Sequence, residues 1–138
     1  TGNLDVPATE KRNVNSFIGT DGIRYIVAYV APEDPKVALN DMVVAIYRME
    51  DMMHFPMVDD FKVIIDPRMP SMGNHGSPNN SDLIQAESGS FYEGILSLTM
   101  TGYWKINLQM HNASGEVLKG EAVTTENPAS SLFFEIEF

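Results

Sequence analysis

Tyr103-Trp104-Lys105-Ile106-Asn107-Leu108-Gln109-Met110-His111 alternates without a break. Trp104, Ile106, Leu108 and Met110 fall on one side, and Tyr103, Lys105, Asn107, Gln109 and His111 on the other. A strict period of two marks a strand of an antiparallel sheet with one face in a core and the other near solvent. Asn112-Ala113-Ser114-Gly115 follows as a turn, and Val117 to Val123 supplies a returning partner. The C-terminus repeats the alternation, with Leu132, Phe134, Ile136 and Phe138 against Phe133, Glu135 and Glu137. Trp104 is the expected centre of the core, since a buried Trp removes the most area from water.

Working backwards, Ile23 to Val30 is rich in β-branched and aromatic residues and stops before Pro32 and Pro35. Met42 to Tyr47 and Leu96 to Met100 read as further strands. Phe61 to Ile65 reads as another, closed by Asp66-Pro67. Lys36 to Asn40 is the nearest helical candidate and is too short for more than one turn. Seven to nine short strands separated by polar turns predict an all-β, immunoglobulin-like antiparallel β-sandwich. Residues 1–15 are polar and are expected to form a flexible lead-in, with residues 16–138 as one sandwich domain.

Composition bounds the function. The 138 residues hold 9 basic and 19 acidic side chains, for a net charge of -10. That balance argues against nucleic acid and anionic membrane surfaces, which are bound through basic patches. The longest apolar run, Tyr25 to Ala31, is far short of the ~20 residues of a membrane-spanning helix. With no cysteine there is no disulfide framework, thiolate zinc site, cysteine nucleophile or blue-copper centre. No nucleophile elbow, phosphate-cradling loop or zinc-peptidase helix is present. The acidic pairs Asp59-Asp60, Glu33-Asp34 and Glu50-Asp51 lack the alternating order of a calcium loop and read as solvated faces. No enzyme is expected.

Methionine stands out, with 9 in the chain. Met52, Met53 and Met57 surround His54, and Met69 and Met72 precede His75. Asp66 to Asn80 carries three prolines, two glycines and three asparagines, so it is expected to be a long loop of the kind that carries function. Thioether sulfur is a soft neutral donor and imidazole a borderline one, a pairing that suits copper, Cu(I) above all. Met69, Met72 and His75 are spaced by three, and Gly73 and Gly76 give the loop the freedom to gather them. His54, Met57 or Met53, brought over by the loop, or His111 at the end of the Trp104 strand, would complete the site. Against ligation stands packing, because Met is a common gap-filler in cores. Met100 and Met110 are assigned to the core by parity, and packing is the first expectation for Met52, Met53 and Met57.

Arg68-Met69-Pro70-Ser71-Met72-Gly73-Asn74-His75-Gly76 resembles the "MP-x-MG-x-H" loop of YtkA-like and FixH-like domains. Tyr92-Glu93-Gly94, followed by Leu98-Thr99-Met100-Thr101-Gly102-Tyr103-Trp104-Lys105-Ile106-Asn107-Leu108, resembles the "Y … F-x-M-x-G-x-W-x-L" strand pair of the same family. The likeness covers about residues 61–123. It implies an exported immunoglobulin-like domain of the bacterial periplasm or cell envelope, as a lipoprotein or beside membrane components of copper handling. An envelope or membrane protein is then the expected partner, and the family's metal-loop residues fall on Met69, Met72 and His75. The family loop also commonly reads Met-Gly-His without that intervening residue, whereas here Asn74 intervenes and moves the imidazole by one residue. The chain opens Thr1-Gly2-Asn3, which reads either as an artificial start or as a mature end left after processing, so secretion is not excluded. The alternative function is a metal-free structural or interaction module, in which Met-Pro-Ser-Met is only a hydrophobic anchor.

Overall fold

A computed structural model describes residues 13–138. Ten strands follow one another: β1 (Val14–Ile18), β2 (Arg24–Ala31), β3 (Ala38–Arg48), β4 (Lys62–Met69), β5 (His75–Gly76), β6 (Leu83–Gln85), β7 (Tyr92–Leu98), β8 (Tyr103–His111), β9 (Val117–Lys119) and β10 (Phe133–Glu137). All pairings are antiparallel. The main path runs β1-β2-β3-β7-β6-β4-β8-β10, with β5 added to β4 and β9 to β8. The expected all-β antiparallel sandwich is therefore present, built from a single nearly closed sheet. β1 and β10, the two ends of that path, meet through side chains. Asn13 donates to the Glu135 carbonyl at 2.8 Å and accepts from the Glu135 N–H at 3.0 Å, and Asn15 donates to the Phe133 carbonyl at 2.9 Å. An asparagine amide offers a donor and an acceptor as a peptide group does, so the seam is hydrogen-bonded without a ladder. Val14 and Asn15, expected in the lead-in, already lie in β1, and residues 1–12 of that segment lie outside the described residues.

The alternation read from β8 is realised: Trp104, Ile106, Leu108 and Met110 are all buried, as are Leu132, Phe134 and Ile136 at the C-terminus. Asn107, on the outer face, is also buried, because the 120–132 segment crosses over it. Its amide donates to the Asp66 carbonyl at 3.0 Å and its oxygen accepts from the Ser130 N–H at 2.9 Å. The one-turn helix considered over Lys36 to Asn40 does not form. Asn40 instead closes the turn into β3, accepting from the Lys36 N–H at 3.0 Å and donating to the Lys36 carbonyl at 2.9 Å.

The largest departure is β4, which runs on through Asp66-Pro67 to Met69 rather than stopping there. Val63, Ile65, Pro67 and Met69 are its inward side chains. Pro67 is tolerated because the side of β4 away from β8 is bare at that point. β6 pairs only Lys62 and Val63 there, β5 only Arg68 and Met69. A missing N–H breaks no bond with either. The long loop expected over Asp66 to Asn80 is thus half structured. Its first residues are strand, Pro70–Met72 forms a 3-10 turn, and His75–Gly76 returns along β4.

Candidate functional site

The strand order sorts the Met/His segments to opposite ends of the sandwich. The β3–β4 connection, carrying Met52, Met53, His54 and Met57, lies beside the start of β4. Lys62 there pairs with His111. Met69, Met72 and His75 lie at the other end of β4. The 8 residues of β4, at ~3.3 Å of rise each, hold its two ends roughly 23 Å apart. His54, Met57 and His111 therefore do not complete a site with Met69, Met72 and His75, since metal–ligand bonds for N and S donors are only ~2.0–2.3 Å long. The His111 ring is engaged instead at 3.1 Å with the Gln109 side chain. Met57 is half-buried and bridges Tyr47 across the hairpin stem.

At the far end the three expected donors share one hairpin, 69–76. Met69 and His75 are direct register partners, and Met72 ends the 3-10 turn between them. Gly73 (φ 69°) and Asn74 (φ 59°) both take left-handed conformations, which carry the chain back. Asn74, which separates Gly73 from His75, is structural. Its amide donates to the Pro128 carbonyl at 3.1 Å, and its own carbonyl accepts from Arg68. Arg68 is also held bidentately by Asp66, at 2.8 and 3.2 Å. The hairpin is thus tied on both sides.

Burial divides the three candidates. Met69 is only 2 % exposed and belongs to the core, whereas Met72 is 52 % exposed and His75 is exposed. The Met69 methyl lies against Gly102. A Cβ at Gly102 would come within 2.9 Å of it, and at φ +131° that position also disfavours any side chain. Met69 is the last inward residue of β4, so its sulfur packs because parity sends it inside. An ion arriving from solvent meets Met72 and His75. Beside the hairpin, a polar groove of about 490 Å³ is lined by Arg68, Gly73, Asn74, Thr124, Thr125 and Pro128, among others.

Three methionine assignments change. Met100 was expected in the core by parity, but β7 ends at Leu98 and the residue is 37 % exposed. Its carbonyl is fixed by the Trp104 indole N–H at 2.9 Å. Met52 and Met53, for which packing was the first expectation, are 78 % and 80 % exposed on a two-residue turn. Met110 is fully buried, as parity required. Among the described residues, no group of three or more His, Asp or Glu side chains is placed to hold a metal ion. No helix among the described residues is long and apolar enough to cross a membrane.

No protein-family model matches this chain, and neither a curated protein nor a solved structure matches it.

Proposed function

We propose that this chain is a non-catalytic binding domain of the bacterial cell envelope, exported and similar to YtkA-like and FixH-like domains, that takes up copper at the tip of the 69–76 hairpin. The observation carrying this reading is the division of labour in that hairpin. Met69 locks it into the core, while Met72 and His75 present a soft sulfur and an imidazole on the outside. Two such neutral donors favour Cu(I) over zinc, calcium or magnesium. They also leave coordination positions free, which suits an ion that is passed to a partner, here an envelope or membrane protein. The absence of a nucleophile–base pair in the sequence motifs and the packed interior support a binding role over an enzymatic one.

The test is an anaerobic Cu(I) titration against a chromophoric competitor. Met72→Leu/His75→Ala is expected to lose one equivalent, and Met69→Leu to keep it, because its sulfur is behind the surface. An unchanged titration in the double variant would reject copper at this tip. The remaining reading would then be the metal-free interaction module. The core placement of Met69 favours that module, because Met69 anchors the hairpin by packing alone, with Pro70, Ser71 and Met72 outside.

A further inference from the structure

The exposed turn at the opposite end has a different construction, and no role has been assigned to it. Asp51 and His54 face each other as an isolated bridge, with Met52 and Met53 as the two residues between them. Hairpin turns favour Gly, Asn, Asp and Pro. Two methionines, 78 % and 80 % exposed, therefore satisfy neither turn chemistry nor packing. The flanking polar groups are ordered. The Asp51 carboxylate accepts from the Met53 N–H at 2.7 Å, and both its oxygens lie 2.8 Å from Nδ1 of His54. An ionised carboxylate only accepts, so Nδ1 must carry the proton and the neutral ring keeps its lone pair on Nε2. The His54 side chain is 67 % exposed, so that lone pair is open to solvent. A carboxylate on one ring nitrogen with the other free is the outer-shell arrangement that orients metal-binding histidines.

We propose that the Asp51–His54 turn is a surface site for a soft monovalent cation, Cu(I) or its analogue Ag(I), bound by Nε2 of His54 and the thioethers of Met52 and Met53. Each methionine has three rotatable side-chain bonds and no packing partner to break, so its sulfur swings to the ion at little cost. Neutral thioethers do not compete with water for hard divalent cations, which sets the selectivity. Glu50 is balanced by Arg48 at 2.9 Å, and Asp51, with Asp59 and Asp60 at the same end, gives the surroundings a sign that draws cations in. The site is independent of the 69–76 hairpin, so it stands or falls apart from the function proposed there.

Ag(I) titration followed by NMR of methionine methyl groups separates the two. In the Met72→Leu/His75→Ala background, the Met52 and Met53 methyl signals are expected to shift and saturate near one equivalent. Met52→Leu/Met53→Leu keeps the apolar surface without sulfur and is expected to lose that equivalent. Asp51→Ala, which frees the ring, is expected to weaken binding about tenfold or more. Both substitutions lie on an exposed turn and leave the fold intact. Stationary Met52 and Met53 methyl signals in excess Ag(I) would overturn the proposal, as would full binding by the leucine pair. The turn would then be an apolar docking tip.

Discussion

The Met52-Met53-His54 turn and the Met69–Met72–His75 hairpin use the same residue types, yet the sandwich treats them differently. At one end the chain has left its strands before the methionines arrive, so both side chains stay in solvent. At the other, β4 is still in register when Met69 comes, and the sheet carries that sulfur into the core while Met72 and His75 pass outside. Residue type alone does not decide whether a methionine is a donor or a packing piece. Its phase relative to the nearest strand does.

The sharpest way to break this contrast is truncation. Met69→Ala is expected to destabilise the protein by about 2–5 kcal/mol, the usual loss for a core methionine replaced by alanine. Met53→Ala should stay within about 0.5 kcal/mol, as for surface positions. Urea unfolding of the two variants side by side checks this, and equal shifts would abolish the distinction. Next in size is Tyr92, fully buried beneath the Met52 end. Its hydroxyl donates to the Val58 carbonyl at 2.8 Å and accepts from the Phe61 N–H at 3.1 Å. Tyr92→Phe leaves the Phe61 N–H unpaired and the Val58 carbonyl with only the Gln85 amide, at 3.2 Å, and is expected to cost about 1–3 kcal/mol.

The same residue gives a pH test. Burial, the leading cause, pushes the Tyr92 hydroxyl up to about 12. A group whose folded pKa is raised contributes stability in full below its unfolded value of ~10. That contribution is lost as pH climbs from ~10 to about 12. Denaturant midpoints measured across that window should fall in the parent protein and fall less in Tyr92→Phe. Met69→Leu keeps most of the volume and is expected to cost under about 1.5 kcal/mol, so it separates the sulfur's chemistry from its packing.

The smallest effect belongs to Asp59, which fastens the 85–90 loop at the Met52 end. Its carboxylate accepts from Ser88 at 2.6 Å and from the Gly89 N–H and Gln85 at 2.9 Å each. Those bonds, the Ser88 hydroxyl first, hold it below the usual carboxylate range. A lowered folded pKa contributes above the unfolded value near 3.9 and is lost as pH falls through the folded one. Amide exchange at Gly89 should therefore rise below about pH 4 relative to a reference loop, once corrected for intrinsic rates. Asp59→Ala should raise it at neutral pH.

Much of this architecture is readable along the chain. The alternation through Tyr103–His111 and Leu132–Phe138 sets both strands and their inward faces, because a two-residue period has only one way to bury Trp104, Ile106 and Leu108 together. The β4 extension was hidden by Asp66-Pro67, a local stop signal that a gap in the neighbouring strands overrides. Continuing the parity from Val63 and Ile65 through Pro67 would have reached Met69. Met100 failed for the converse reason, since the parity was carried past the end of β7.

Composition and local pattern by themselves determined the all-β class, the core of its regular strands and the concentration of soft donors in two short segments. These follow from side-chain chemistry and strand period, which are local. Only the tertiary structure decided that the two segments lie at opposite ends, and that His54, Met57 and His111 belong apart from the 69–76 hairpin. It alone decided that Met69 is core while Met52 and Met53 are not. Those distinctions depend on which strands become neighbours and where each pairing stops, and non-local hydrogen bonding settles both.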